Sequence, residues 1–131
     1  MFALKSYMNN LKYFRELADV TPKQLSKLLN VTVHTYIGFE QEKNTIPAEI
    51  LLMLGKVYSI DPTEISIPQN ELNTKTKTVI SGYSTLTEDK KIEVFCYNLT
   101  GKRKNNLTFC DIKRIKQEIT KELMDSDATD E

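Results

Sequence analysis

The chemistry-bearing side chains of this 131-residue chain do not converge on a catalytic pattern. There is one histidine, His34, and there are two cysteines, Cys96 and Cys110. One imidazole and two thiols at these spacings form no zinc motif, so no metal or other cofactor is expected. No Gly-rich phosphate loop and no Gly-x-Ser-x-Gly turn occurs, and an enzyme is not expected. The informative polar residues gather between Thr21 and Thr45. Lys23, Lys43, Asn44 and Thr45 are hydrogen-bond donors of the kind that hold phosphate oxygens, and N–H groups at helix starts do the same. Their chemistry is non-covalent recognition.

The elements that must position them are short helices. Thr21 can cap a helix whose first position is Pro22, where a missing N–H is harmless. Leu25, Leu28 and Leu29 give that helix an apolar face. Asn30 can adopt a left-handed backbone and end it. Val31 is an apolar plug, and Thr32 caps a second helix whose Tyr36 and Phe39 face inward. A short helix, a sharp turn and a second helix make the helix-turn-helix unit, which can put its second helix into a DNA major groove. Upstream, apolar residues at 11, 14, 17 and 18 have helical spacing. Downstream, Pro47 starts a helix with the stripe Ile50, Leu51, Leu54, Val57 and Tyr58. Asp61 and Pro62 then open a last short helix ending near Ile65.

Residues 67–85 are rich in Thr and Ser and read as a polar linker, with a short ordered piece at Val79 to Tyr83. Thr87 begins a helix with Glu88 and Asp89 in its first turn, favourable against the helix dipole. Ile92, Phe95, Cys96 and Leu99 form its apolar face, and Gly101 ends it. Phe109, Ile112, Ile115, Ile119 and Leu123 mark a further helix, so 86–124 is expected to be a helical hairpin that packs on the first domain or on a second copy. Residues 125–131 are acidic and are expected to be disordered. Net charge is zero, but it is near neutral up to residue 66, basic over 72–116 and acidic after that. No run reaches the ~18 apolar residues of a membrane span, and Met1 to Asn10 lacks the features of a signal peptide. A cytoplasmic protein without membrane contact is expected.

Residues 11–65 resemble the Cro/C1-type helix-turn-helix family of phage and bacterial repressors (the XRE family). The family's Leu-x-x-Leu-Arg opening stands here as Leu11, Phe14 and Arg15. Its Ser-Gln-x-x-Leu-Ala stands as Thr21, Pro22, Leu25 and Ser26, and its Gly-Val turn as Asn30 and Val31. Its buried Ile and following Glu pair stand as Tyr36, Phe39 and Glu40. Its fourth helix stands as Pro47, Leu51, Leu54, Gly55 and Tyr58, and its closing Val and Leu as Ile60 and Ile65. The resemblance implies an all-α, five-helix domain over residues 1–66, and an Arg15–Glu40 ion pair tying the first helix to the third. It implies that Val33, His34, Ile37 and Gly38 face base edges and that Thr35 and Gln41 lie near phosphates. Thr21 and Thr32 would stand at the DNA-facing helix starts, with Lys23, Lys43, Asn44 and Thr45 on the backbone. Val33 and Ile37 offer only apolar contact to thymine methyls, His34 one donor or acceptor, and Gly38 nothing.

Three readings follow. The first is a sequence-specific transcriptional regulator that binds double-stranded DNA as a homodimer. Its C-terminal hairpin would supply the dimer contact, and the Lys90–Lys91 and Lys102–Lys104 clusters would add phosphate contacts. The second is a protein-binding module on the same scaffold, such as an antirepressor, an antitoxin or a regulator's partner, meeting its protein partner through Val33, Ile37, Tyr13 and Tyr36. The third is a nonspecific nucleic-acid binder led by the basic middle segment.

Overall fold

The computed structural model describes residues 9–101 and 108–129, with the backbone alone at residue 109 and over 125–129. Every regular element among them is helical. Seven α-helices run α1 (Leu11–Ala18), α2 (Pro22–Leu29), α3 (Val33–Glu40), α4 (Ala48–Tyr58), α5 (Thr74–Tyr83), α6 (Glu88–Thr100) and α7 (Phe109–Thr129). Short 3-10 turns occupy Pro62–Ile65 and Gln69–Glu71. No helix among the described residues is long and apolar enough to cross a membrane.

Helix starts follow side-chain chemistry. The Thr21 hydroxyl accepts from the Gln24 N–H at 3.1 Å, and the Thr21 N–H donates to Gln24 Oε1 at 3.0 Å. This reciprocal pair satisfies two groups that the helix itself leaves open. Thr32 accepts from the Thr35 N–H at 3.0 Å, Asn73 from the Lys75 N–H at 2.8 Å, and Thr87 from the Lys90 N–H at 3.2 Å.

The ends of the first four helices share one device. Asp19, Asn30, Glu42 and Ser59 take φ values of 58°, 55°, 59° and 60°, the left-handed region. After each, the next N–H reaches back five residues: Val20 to Arg15 O at 3.0 Å, Val31 to Ser26 O at 3.0 Å, Lys43 to Gly38 O at 2.9 Å, and Ile60 to Gly55 O at 2.9 Å. This is the Schellman ending, here built without glycine. Three of the four following residues, Val20, Val31 and Ile60, are apolar, as the motif favours.

The core is continuous from Leu11 to Ile119. Phe14 meets Tyr58 edge-on at 6.0 Å, Tyr58 meets Phe95 at 6.0 Å, and Phe95 meets Tyr83 at 5.0 Å. This chain of rings links α1 through α4 to α5 and α6. Helices α6 and α7 pack on α4, with Ile112, Ile115 and Ile119 buried. Helices α6 and α7 therefore have their apolar faces against α4.

Two expectations are corrected. The stretch 67–85 is not merely a linker, because it holds a 3-10 turn and α5, which packs on α1. Alternating threonines lower helix propensity there, but Leu72, Ile80 and Tyr83 are buried, and tertiary packing prevails. The acidic end is not a disordered tail through residue 129, because α7 continues to Thr129. No Gly or Pro interrupts residues 109–129, and adding residues to an existing helix is easy compared with starting one. Residues 1–8, 102–107 and 130–131 lie outside the described residues, so the Lys102–Lys104 turn cannot be placed.

Burial holds the Tyr58 hydroxyl well above the usual tyrosine value, with the Glu40 carboxylate adding to the shift. Burial does the same to Tyr36, where Tyr58 and Glu40 contribute further. Both rings stay protonated in the folded chain, whereas the unfolded chain ionises them near pH 10. Their contribution to stability is thus complete below pH 10 and falls as pH rises beyond it. The Tyr58 hydroxyl meets no hydrogen-bond partner among the described residues. Tyr58→Phe should leave stability at neutral pH unchanged or raise it by about 1 kcal/mol. It should also flatten the loss of stability above pH 10, as read by urea unfolding across the alkaline range.

Candidate nucleic-acid interface

Helix α3 is divided along its length. Its inner residues Tyr36, Phe39 and Glu40 are buried. Its amino-terminal residues Val33 and His34 are exposed, Val33 at 36%. Thr35 and Ile37 are half-buried. The Thr32 hydroxyl both accepts from the Thr35 N–H and donates to Thr35 Oγ1 at 2.9 Å, so both threonines are committed to starting the helix.

The carboxyl end of α3 is held to α1 by Arg15 and Glu40. Arg15 Nε donates to Glu40 Oε2 at 2.7 Å and Nη2 donates to Oε1 at 3.3 Å, a two-pronged pairing that matches a planar fork to a carboxylate. The third prong, Nη1, donates to the Val20 carbonyl at 3.3 Å, just past the end of α1. The side chains are 15% and 7% exposed. The hydrogen bond to Glu40 raises the Arg15 pKa above its already high ordinary value, against the opposing effect of burial. The pair spans 25 positions of sequence and fixes the angle between α1 and α3.

Gly38 does not face outward. It is buried, and the Asn44 side chain lies where a Cβ at Gly38 would stand. Lys43 and Asn44 both donate their N–H to the Gly38 carbonyl, at 2.9 and 3.2 Å. The glycine lets the loop after α3 fold back onto the helix, so its role is packing rather than base contact. Gln41, Lys43, Asn44 and Thr45 are exposed. Asn9 ties the same loop to the start of α1: its N–H donates to Glu42 Oε2 at 2.7 Å, and its side-chain amide donates to the Phe39 carbonyl at 2.8 Å.

Of the expected site residues, Thr21, Lys23, Thr32, Val33, His34, Gln41, Lys43, Asn44 and Thr45 lie at the surface. Ile37 and Gln41 line a groove of about 580 Å³ with Lys12, Tyr13 and Pro22. The groove is mixed in character, with an aromatic ring and a proline beside one lysine. At the amino end of α2, Gln24 donates to the Glu88 carboxylate, which brings an acid from α6 to that helix start.

Lys91 cannot contact phosphate as expected, because its side chain is only 1% exposed. Its ammonium donates to the Asp19 carbonyl at 2.6 Å, with the Asp19 and Glu88 carboxylates at 3.9 and 4.0 Å. The sequence carries a signal for this. Lys91 shares helical spacing with Phe95 and Leu99, on the face that the core covers. Lys116 is a second residue that sequence reasoning misses. It donates to the Asn30 carbonyl at 3.4 Å and so reaches the turn between α2 and α3. Its position between Ile112, Ile115 and Ile119 puts it at the edge of the buried stripe.

Removing the guanidinium strands a buried carboxylate, so Arg15→Ala should destabilise the fold by about 3 kcal/mol. Arg15→Lys should recover only part of this, because an ammonium offers no fork. Urea unfolding at neutral pH measures both, and a wild-type midpoint for Arg15→Ala would show that the pair holds nothing. Comparison with family models, with curated proteins and with solved structures finds no match to this chain.

Proposed function

We propose that the chain is a sequence-specific transcriptional regulator of Cro/C1 helix-turn-helix type, binding operator DNA as a dimer. In this reading α1 to α4 and the Pro62–Ile65 turn form the five-helix domain, and α3 enters the major groove. One observation carries it: the first residues of α3, Val33 and His34, are exposed, while Tyr36, Phe39 and Glu40 are buried and Glu40 is tied to α1. That division suits a helix that is anchored at one end and reads a surface with the other.

The residues then have distinct tasks. His34 meets a base edge, and Val33 and Ile37 meet thymine methyls. Lys23, Lys43 and Thr45 hold phosphates and set register without reading sequence. Few strong base contacts mean weak half-site affinity, which a dimer on two half-sites about one helical turn apart offsets. The outer face of α6 suits the dimer contact, because Tyr97 is 50% exposed and lies beside Val94, Lys90 and Glu93.

A second reading is a protein-binding module on the same scaffold. The groove with Tyr13, Pro22 and Ile37, and the Glu88 carboxylate at the start of α2, favour it. Both features suit a protein surface better than a phosphate backbone.

Selection from a random duplex pool at low and high salt separates the two. The regulator reading expects a palindromic motif, and a chain that sediments as a dimer. His34→Ala with Lys43→Ala should weaken binding to the selected duplex at least ~5-fold, the low end for removal of a base-reading side chain. Absence of duplex binding at any salt, with a stable protein partner in a pull-down, would establish the second reading instead.

A further inference from the structure

Helix α7 presents two different surfaces. Towards the turn between α2 and α3 it lines a shallow groove of about 500 Å³ with Lys113, Lys116, Gln117, Thr120 and Lys121, and Asn30 forms the far wall. Met124 closes one end, every polar side chain in this set can donate a hydrogen bond, and no carboxylate among the described residues lines the groove. Two acids of α7, Glu118 and Glu122, lie elsewhere. Glu118 is held by Arg114 at 3.5 Å, and Glu122 lines a separate groove with Leu52 and Pro62.

The donor stripe follows helical spacing from 113 to 121, a length of about 12 Å at 1.5 Å per residue. Over that distance one strand of B-DNA presents about three phosphates. Lys113 and Lys121 are exposed. Lys116 is half-buried, and desolvation lowers its pKa while Glu49 partly opposes the shift. Its hydrogen bond to the Asn30 carbonyl is long, at 3.4 Å. Asn30 lies two residues before Thr32, the cap of α3. The groove therefore reaches the turn that leads into α3.

We propose that α7 is a second DNA-contacting element, whose Lys113–Lys121 stripe holds the phosphate backbone beside the segment that α3 reads. This rests on the duplex-binding reading of α3. The stripe carries affinity and salt dependence, not sequence choice, because phosphate contacts are the same at every base pair. Lys116 stays anchored to the turn, while Lys113 and Lys121 reach outward to successive phosphates.

The test uses the full chain and a fluorescent random-sequence duplex, with binding followed across a salt titration. Lys113→Ala with Lys121→Ala should reduce the slope of log affinity against log salt by about 2, one unit for each phosphate no longer neutralised. The control, Lys56→Ala with Lys75→Ala, removes the same charge from exposed positions on α4 and α5 and should leave the slope unchanged. Thermal melting of both variants checks that the fold is intact. An unchanged slope in the α7 variant, with duplex binding and a His34→Ala effect retained, overturns the α7 contact alone. Equal reductions of slope in both pairs also overturn it, since net charge would then explain the effect. A parent chain that binds no duplex at any salt overturns this proposal together with the reading of α3.

Discussion

The carbonyl groups at the ends of the first four helices set the main constraint on this fold. Each helix leaves its last carbonyls without an internal partner, and the Schellman endings at Asp19, Asn30, Glu42 and Ser59 satisfy only some of them. Donors from distant parts of the chain serve others. Lys91 of α6 donates to the Asp19 carbonyl, and Lys116 of α7 to that of Asn30. Asn9 donates to the Phe39 carbonyl. At the end of α4, Asn98 donates to the Val57 carbonyl at 2.7 Å and Tyr83 to that of Tyr58 at 2.7 Å. The C-terminal helices thus supply side-chain donors to three of the four helix ends, in addition to apolar area.

This bears on function through α3. The helix is only eight residues long, too short to be stable by itself. Its position depends on Arg15 at one end, on Thr32 at the other, and on Tyr36 and Phe39 beneath. Arg15 also bonds the Val20 carbonyl, next to Asp19, which Lys91 holds. Hydrogen bonds thus connect α3 through α1 to α6.

Much of the first 65 residues is legible in the sequence because local chemistry there is strong. Thr21 with Gln24, Pro22, Asn30 and Thr32 mark boundaries by side-chain type, and the stripes of α1, α2 and α4 follow helical period. What stays hidden is what depends on tertiary partners. Helix α5 shows only Ile80 and Tyr83 as buried anchors among threonines, too sparse for a periodic signal. Gly38 reads as a gap on an outward face until the loop carrying Asn44 is folded over it. Lys116 reads as surface charge, and the spacing of Lys91 with Phe95 and Leu99 marks its face but not the distant carbonyl it serves. The extent of α7 is obscured because acidic composition points to disorder, while the absence of a breaker lets the helix run on. For the site, the surface positions of His34, Lys43 and Thr45 are legible, and the orientation of Gly38 is not.

The proposed function requires that the exposed start of α3 meet duplex DNA. Amide chemical-shift mapping of the full chain during titration with a random-sequence duplex at low salt tests it most directly. The account predicts shifts concentrated at residues 32–37 and 43–45. Shifts confined to the outer face of α6, or no shifts under conditions where the duplex is in excess, would contradict it.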